Sequence, residues 1–191
     1  MKEKNILIIA SVVTLGLFAV GYFLMKPKQQ KPTGKGLQIP NILIGDSQTP
    51  YVAKNSKKFK LISSKGSESS LWKGGMGLKW LLDSVSNFEI SPDVKNVGIV
   101  IGTNGGFNAK DNISGLFTAL KKTFPNANFY AIKGSWGWGG NKNVTESKVN
   151  DYYAKFASQG AKVITTPIGA VEPHANLPVY AKIGAELDTN A

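Results

Sequence analysis

The sequence predicts an α/β protein: a three-layer α/β/α sandwich around a five-stranded parallel sheet, preceded by one N-terminal transmembrane helix. Three observations carry that reading. Short β-type runs alternate with amphipathic helical runs from residue 39 to the end of the chain, the pattern of strand–helix–strand units. One of those runs, Val97-Gly98-Ile99-Val100-Ile101, is apolar on both faces, as a central parallel strand must be. The third is a charge-free stretch from Ile6 to Met25, bracketed by Lys2 and Lys4 before and by Lys26 and Lys28 after.

Twenty helical residues span about 30 Å, the hydrocarbon thickness of a bilayer, so residues 1–25 are expected to form an anchor with the lipid bilayer as partner of residues 6–25. A cleaved signal peptide would have a shorter apolar region of about 7 to 15 residues ending in a small-x-small site. Tyr22-Phe23-Leu24-Met25 offers none. Two lysines precede the span, whereas Lys26, Lys28, Lys31 and Lys35 follow it. The positive-inside rule therefore leans against export of the C-terminal domain. The lysine count alone does not fix the side of the membrane. Residues 26–38 are rich in Lys, Gln, Pro and Gly with almost nothing to bury, the composition of a tether. The remainder, 39–191, has the length of one ordinary domain.

Within that domain Ile39 to Ile44, Phe59 to Ile62, Val97 to Ile101, Asn128 to Ile132 and Lys162 to Thr166 read as strands. Met76 to Phe88, Ile113 to Phe124, Thr145 to Ser158 and Val179 to Leu187 read as helices. The third helix has an N-cap in Thr145 and a terminating glycine in Gly160.

Composition excludes several kinds of chemistry. All 23 basic residues are lysine, against 12 acids and one histidine, for a net charge of +11. Without arginine there is no guanidinium fork to grip phosphates or base edges. Removing residues 1–38, with six lysines and one glutamate, leaves the domain at +6 with its lysines scattered, so no nucleic-acid partner is expected. The absence of cysteine excludes disulfides, thiolate metal sites and a catalytic thiol. A lone histidine allows no multi-histidine metal site and leaves one side chain that ordinarily titrates near neutrality. No metal and no cofactor are expected. The loop Gly134 to Asn141 is glycine-rich but lacks Gly-Lys-Ser/Thr and G-x-G-x-x-G spacing, which disfavours nucleotide binding.

In open parallel sheets ligands sit at the carboxyl ends of the strands. Reading those ends gives Gly45-Asp46-Ser47-Gln48, Gly102-Thr103-Asn104-Gly105-Gly106, the loop with Trp136 and Trp138, and Glu172-Pro173-His174. A hydroxyl nucleophile, an amide donor and the single imidazole thus share one rim, as acyl transfer requires. Trp136 and Trp138 stand two apart, so in an extended stretch both indoles point the same way. Packing over the sheet edge and stacking on a sugar ring are both open readings of that pair.

These residues resemble the blocks of the SGNH (GDSL-type) hydrolase superfamily, including phage-encoded and bacterial members, over about Ile39 to Leu187. The first block is Ile42-Leu43-Ile44-Gly45-Asp46-Ser47. The third, Gly-x-Asn-Asp in that family, is Gly102-Thr103-Asn104-Gly105 and lacks the aspartate. The last places a histidine shortly before a helix, as His174 does. The second block is a single glycine, placed at Gly75 because Gly75-Met76-Gly77-Leu78-Lys79-Trp80-Leu81-Leu82 is similar to the glycine-then-helix start; Gly66, Gly74 and Gly77 are alternatives. The resemblance implies an SGNH/flavodoxin-like sandwich with Ser47 as nucleophile and His174 as general base. The oxyanion would be held by the Ser47 and Gly75 backbone N–H groups and by the Asn104 amide. The family's usual acid, three residues before the histidine, is Val171 here. Glu172 is the nearest carboxylate, either the acid that orients His174 or a solvent-facing loop residue.

The expected function is that of a membrane-anchored serine hydrolase cleaving an ester, an O-acyl group on a cell-envelope carbohydrate. The rival is a non-catalytic membrane-linked structural or binding protein that keeps the fold without an efficient triad. The all-lysine basic set suggests an AT-rich genome, so a phage virion protein held in a larger assembly is a third reading.

Overall fold

The computed structural model describes residues 39–62, 70–137, 143–165 and 177–191. The expected anchor and tether lie outside the described residues; among those described, no helix is long and apolar enough to cross a membrane. Five strands, β1 (Asn41–Gly45), β2 (Lys60–Leu61), β3 (Asn96–Val100), β4 (Asn128–Ile132) and β5 (Lys162–Ile164), form one sheet in the order β2-β1-β3-β4-β5. Every pairing is parallel.

Strand alternation distributes two cores. Ile42, Ile44, Val97, Ile99, Phe129 and Ala131 face one side. There they meet α2 (Leu78–Ser86), α3 (Ile113–Thr123) and α4 (Glu146–Ser158) through Leu81, Leu116, Phe117, Val149 and Phe156. The intervening Leu43, Val100, Tyr130 and Ile132 face the other side, against α1 (Thr49–Asn55) and α5 (Leu177–Asn190) through Val52, Tyr180, Ile183 and Leu187. Successive strand residues point to opposite faces, so the apolar runs of the central strands supply both layers. All five residues of β3 are buried.

The strands lie within two residues of the sequence expectation, and β4 coincides with it. α2 is shorter than Met76 to Phe88, because Gly77 is still extended at its N-cap. Residues 74–77 are therefore loop. α5 is longer than Val179 to Leu187, and α1 has no counterpart in the sequence reading. Its seven residues place only Thr49 and Val52 in the interior, too few turns for a periodic signal. The Thr145 hydroxyl accepts from the Lys148 N–H at 3.2 Å, capping α4 as expected.

The chain leaves β1 toward β2 on one side and returns to β3 on the other. The order of connection thus reverses between the carboxyl ends of β1 and β3, the point where an open parallel sheet splays its loops apart and makes a crevice.

Candidate active site

Ser47 stands two residues beyond β1, half-buried, on a turn that the sheet itself shapes. Gly45 has φ +136°, and a Cβ there would lie 1.8 Å from the Val100 carbonyl oxygen, so only glycine lets β1 end this close to β3. The Asp46 N–H donates to that same carbonyl at 2.8 Å. Asp46 turns its carboxylate inward, where Oδ1 accepts the Gln48 N–H at 3.0 Å. Oδ2 is buried without a hydrogen-bond partner among the described residues. Desolvation raises the Asp46 pKa from 3.8 to about 7, against the lowering effect of the Gln48 N–H. The carboxyl beneath the candidate nucleophile is thus held largely protonated below neutrality.

The second loop is laid along the end of β1. The Gly45 N–H donates to the Leu71 carbonyl at 2.9 Å, and the Lys73 N–H donates to the Gly45 carbonyl at 3.0 Å. Gly75 follows two residues later, exposed, at φ +74°. The third loop is a single 3₁₀ turn, Thr103–Gly105, at the end of β3. Asn104 projects from it and donates through Nδ2 to the Met76 carbonyl at 3.2 Å. An amide nitrogen carries two hydrogens, so this bond orients the group and leaves one N–H to donate elsewhere. The three loops bearing Ser47, Gly75 and Asn104 are in this way tied together at the sheet's switch point. His174, Glu172 and Trp138 lie outside the described residues, as does the alternative Gly66.

Position 105 lacks the aspartate of the Gly-x-Asn-Asp pattern, but a Cβ built there would lie 3.8 Å from Asp111 Oδ2. Asp111 thereby brings a carboxylate near that place from six residues along the chain, held by the Tyr152 hydroxyl at 2.8 Å. Trp136 is half-buried and packs against the larger core. The Lys133 ammonium lies 5.4 Å from its ring centroid, within cation–π range.

Sequence reasoning missed Gln48. Its side chain is buried and donates through Nε2 to Thr103 Oγ1 at 2.8 Å, and its Oε1 lies 3.5 Å from the Tyr180 hydroxyl. No local signal announces a buried glutamine, because both partners are remote in sequence.

No protein-family model matches the sequence, and no curated protein matches it significantly. Solved structures do resemble it. An acetyl xylan esterase variant from Geobacillus stearothermophilus, Axe2-W215I, superposes with a TM-score of 0.57 at 11% identity, over 80% of this chain and 94% of that one. A carbohydrate esterase family 3 protein from Talaromyces cellulolyticus gives 0.54 at 13% identity, over 78% and 95%. A member of the lipolytic protein G-D-S-L family from Veillonella parvula gives 0.50 at 14% identity, over 76% and 93%. At these identities the likeness is one of fold.

Proposed function

From the premise that this chain has the SGNH-type hydrolase fold, we propose that it is a membrane-anchored serine hydrolase cleaving an O-acyl ester on a cell-envelope carbohydrate. The observation that carries the reading is the joining of three loops at one crevice. Gly45 is bonded to Leu71 and Lys73, and Asn104 to Met76, around the turn that presents Ser47.

In this mechanism His174 takes the hydroxyl proton as Ser47 Oγ attacks the acyl carbonyl. The negative charge that develops on the carbonyl oxygen is met by the Ser47 and Gly75 N–H groups and by the Asn104 amide. Imidazolium then returns its proton to the departing sugar oxygen, leaving an acyl-serine. Water, deprotonated by the same imidazole, releases the carboxylic acid and restores the serine. Glu172 would stabilise the charged imidazole; without it a Ser–His pair turns over more slowly. The carbohydrate part of the reading is supported by the fold likeness to an acetyl xylan esterase and a carbohydrate esterase family 3 protein, and the anchor by the charge-free span of residues 6–25.

The test uses the full-length chain in detergent, with 4-nitrophenyl acetate and an acetylated polysaccharide as substrates and a fluorophosphonate as label. Both esters should be hydrolysed. The label should map to Ser47 and be lost in Ser47→Ala and His174→Ala. A chain that neither turns over an acyl ester nor takes the label has instead the rival binding or structural role, which Val171 at the usual acid position favours.

A further inference from the structure

The buried amide of Gln48 joins three elements that the proposed chemistry needs in register. It directly follows Ser47, and only 3% of its surface is exposed. Nε2 reaches Thr103, the residue before Asn104, at 2.8 Å. Oε1 faces the fully buried Tyr180 hydroxyl at 3.5 Å. Tyr180 lies on α5, whose first residue, Leu177, is three positions after His174 in the chain. Its ring is held by stacking on Tyr51, with centroids 5.2 Å apart and planes 17° apart. Gln48 thus connects the turn after β1 both to the turn after β3 and to α5. An apolar residue of similar length would fill the same space without fixing either distance.

We propose that Gln48 is a positioning residue that sets the distance and orientation of Asn104 relative to Ser47 through Thr103, with Tyr180 fixing the other end of its amide. This rests on the proposed hydrolase reading for its catalytic consequence, though not for the tie itself. Buried polar groups are directional where apolar contacts are not, and an oxyanion donor displaced by a fraction of an ångström loses much of its effect. Gln48 therefore acts on the transition state rather than on substrate binding.

The experiment replaces Gln48 by Met, of similar length and without the amide, in the full-length chain. With 4-nitrophenyl acetate kcat should fall about tenfold to a hundredfold while KM stays within about twofold. In an Asn104→Ala background the same change should cost less than about threefold, because the donor it aims is gone. Thr103→Val should reproduce the loss and Thr103→Ser, which keeps the hydroxyl, should restore it. Unchanged kcat in Gln48→Met, or losses that multiply with Asn104→Ala, would overturn the proposal.

Amide hydrogen exchange separates this outcome from failure of the hydrolase reading. The Gly105 and Gly106 N–H groups, bonded to the Gly102 and Thr103 carbonyls, should lose protection at least about tenfold in Gln48→Met while α4 is unaffected. If the wild-type chain hydrolyses no ester but that protection is lost, the hydrolase reading fails and the tie stands. If protection is unchanged, the tie itself is wrong. Should Gln48→Met not fold, Thr103→Val and Thr103→Ser carry the same readouts.

Discussion

The Asn104 amide donates to the Met76 main-chain carbonyl at 3.2 Å across 28 positions of sequence. This one bond joins the turn after β3 to the loop that carries Gly75, and it decides which side of the amide faces the crevice. A carbonyl accepts only from the nitrogen end, so the nitrogen and its second hydrogen are turned toward the loops rather than the oxygen. In the proposed mechanism this second N–H is the donor offered to the oxyanion, and it comes from an exposed side chain.

Asn104→Ala should consequently lower kcat for 4-nitrophenyl acetate by roughly a hundredfold to a thousandfold, the usual effect of losing one oxyanion donor. Its melting temperature should move by no more than a few degrees, because the lost bond is at the surface. Asn104→Asp should be at least as slow, since it sets a charge of the wrong sign beside the oxyanion. Steady-state kinetics and thermal melts on the same preparations check both halves.

At Gly184, α5 lies close against the C-terminal end of α1. A Cβ there would lie 2.2 Å from the Asn55 carbonyl oxygen, backbone against backbone, so neither side can yield by changing a rotamer. Gly184→Ala should cost about 2 to 4 kcal/mol by forcing the two helices apart. The same displacement moves Tyr180, four residues earlier, away from Gln48. Chemical denaturation should therefore report the loss, with turnover falling in parallel.

The sequence revealed the strands and the long helices because each carries its own local signal. The apolar run of β3 and the Thr145 cap with Gly160 behind α4 depend on neighbours within a few residues, and the structure reproduces them. The turn bearing Ser47 was legible for the same reason. Gln48 was not, since its partners Thr103 and Tyr180 stand 55 and 132 positions away. Asp111 was likewise invisible: only the folded turn shows that a carboxylate from position 111 comes near Gly105. Local chemistry is written in local sequence, whereas the burial of a polar group depends on the whole chain.

Deleting residues 1–36 should release a soluble domain that melts within a few degrees of the full-length protein. The motive is the charge-free span of residues 6–25 next to a tether with nothing to bury. The full chain should stay with membranes through a high-salt wash and leave them only in detergent. Release by salt, or a truncated chain that does not fold, would contradict the anchor reading.

The last expectation concerns Asp46 and the pH dependence of stability. In the unfolded chain this carboxyl ionises near its ordinary value of 3.8, whereas in the folded protein desolvation holds its proton until about 7. Between those values the folded state binds a proton that the unfolded state has released. Stability must therefore fall as pH rises from about 4 to about 7 and then level off. The loss is on the order of 4 kcal/mol, from about 1.4 kcal/mol for each of roughly three pKa units. Asp188 works in the opposite direction and in a lower window. Burial would raise its pKa, but hydrogen bonds from the Ser56 hydroxyl and the Lys57 and Lys58 N–H groups outweigh that and hold it below the ordinary range. Its contribution is present above the unfolded pKa and is lost only on further acidification. Asp46→Asn keeps a side-chain oxygen for the Gln48 N–H and removes the ionisation. The variant should match the wild type near pH 4.5, exceed it above pH 7, and show a flatter stability profile between. Urea denaturation at a series of pH values measures this directly, and parallel profiles for the two proteins would show that Asp46 does not carry the effect.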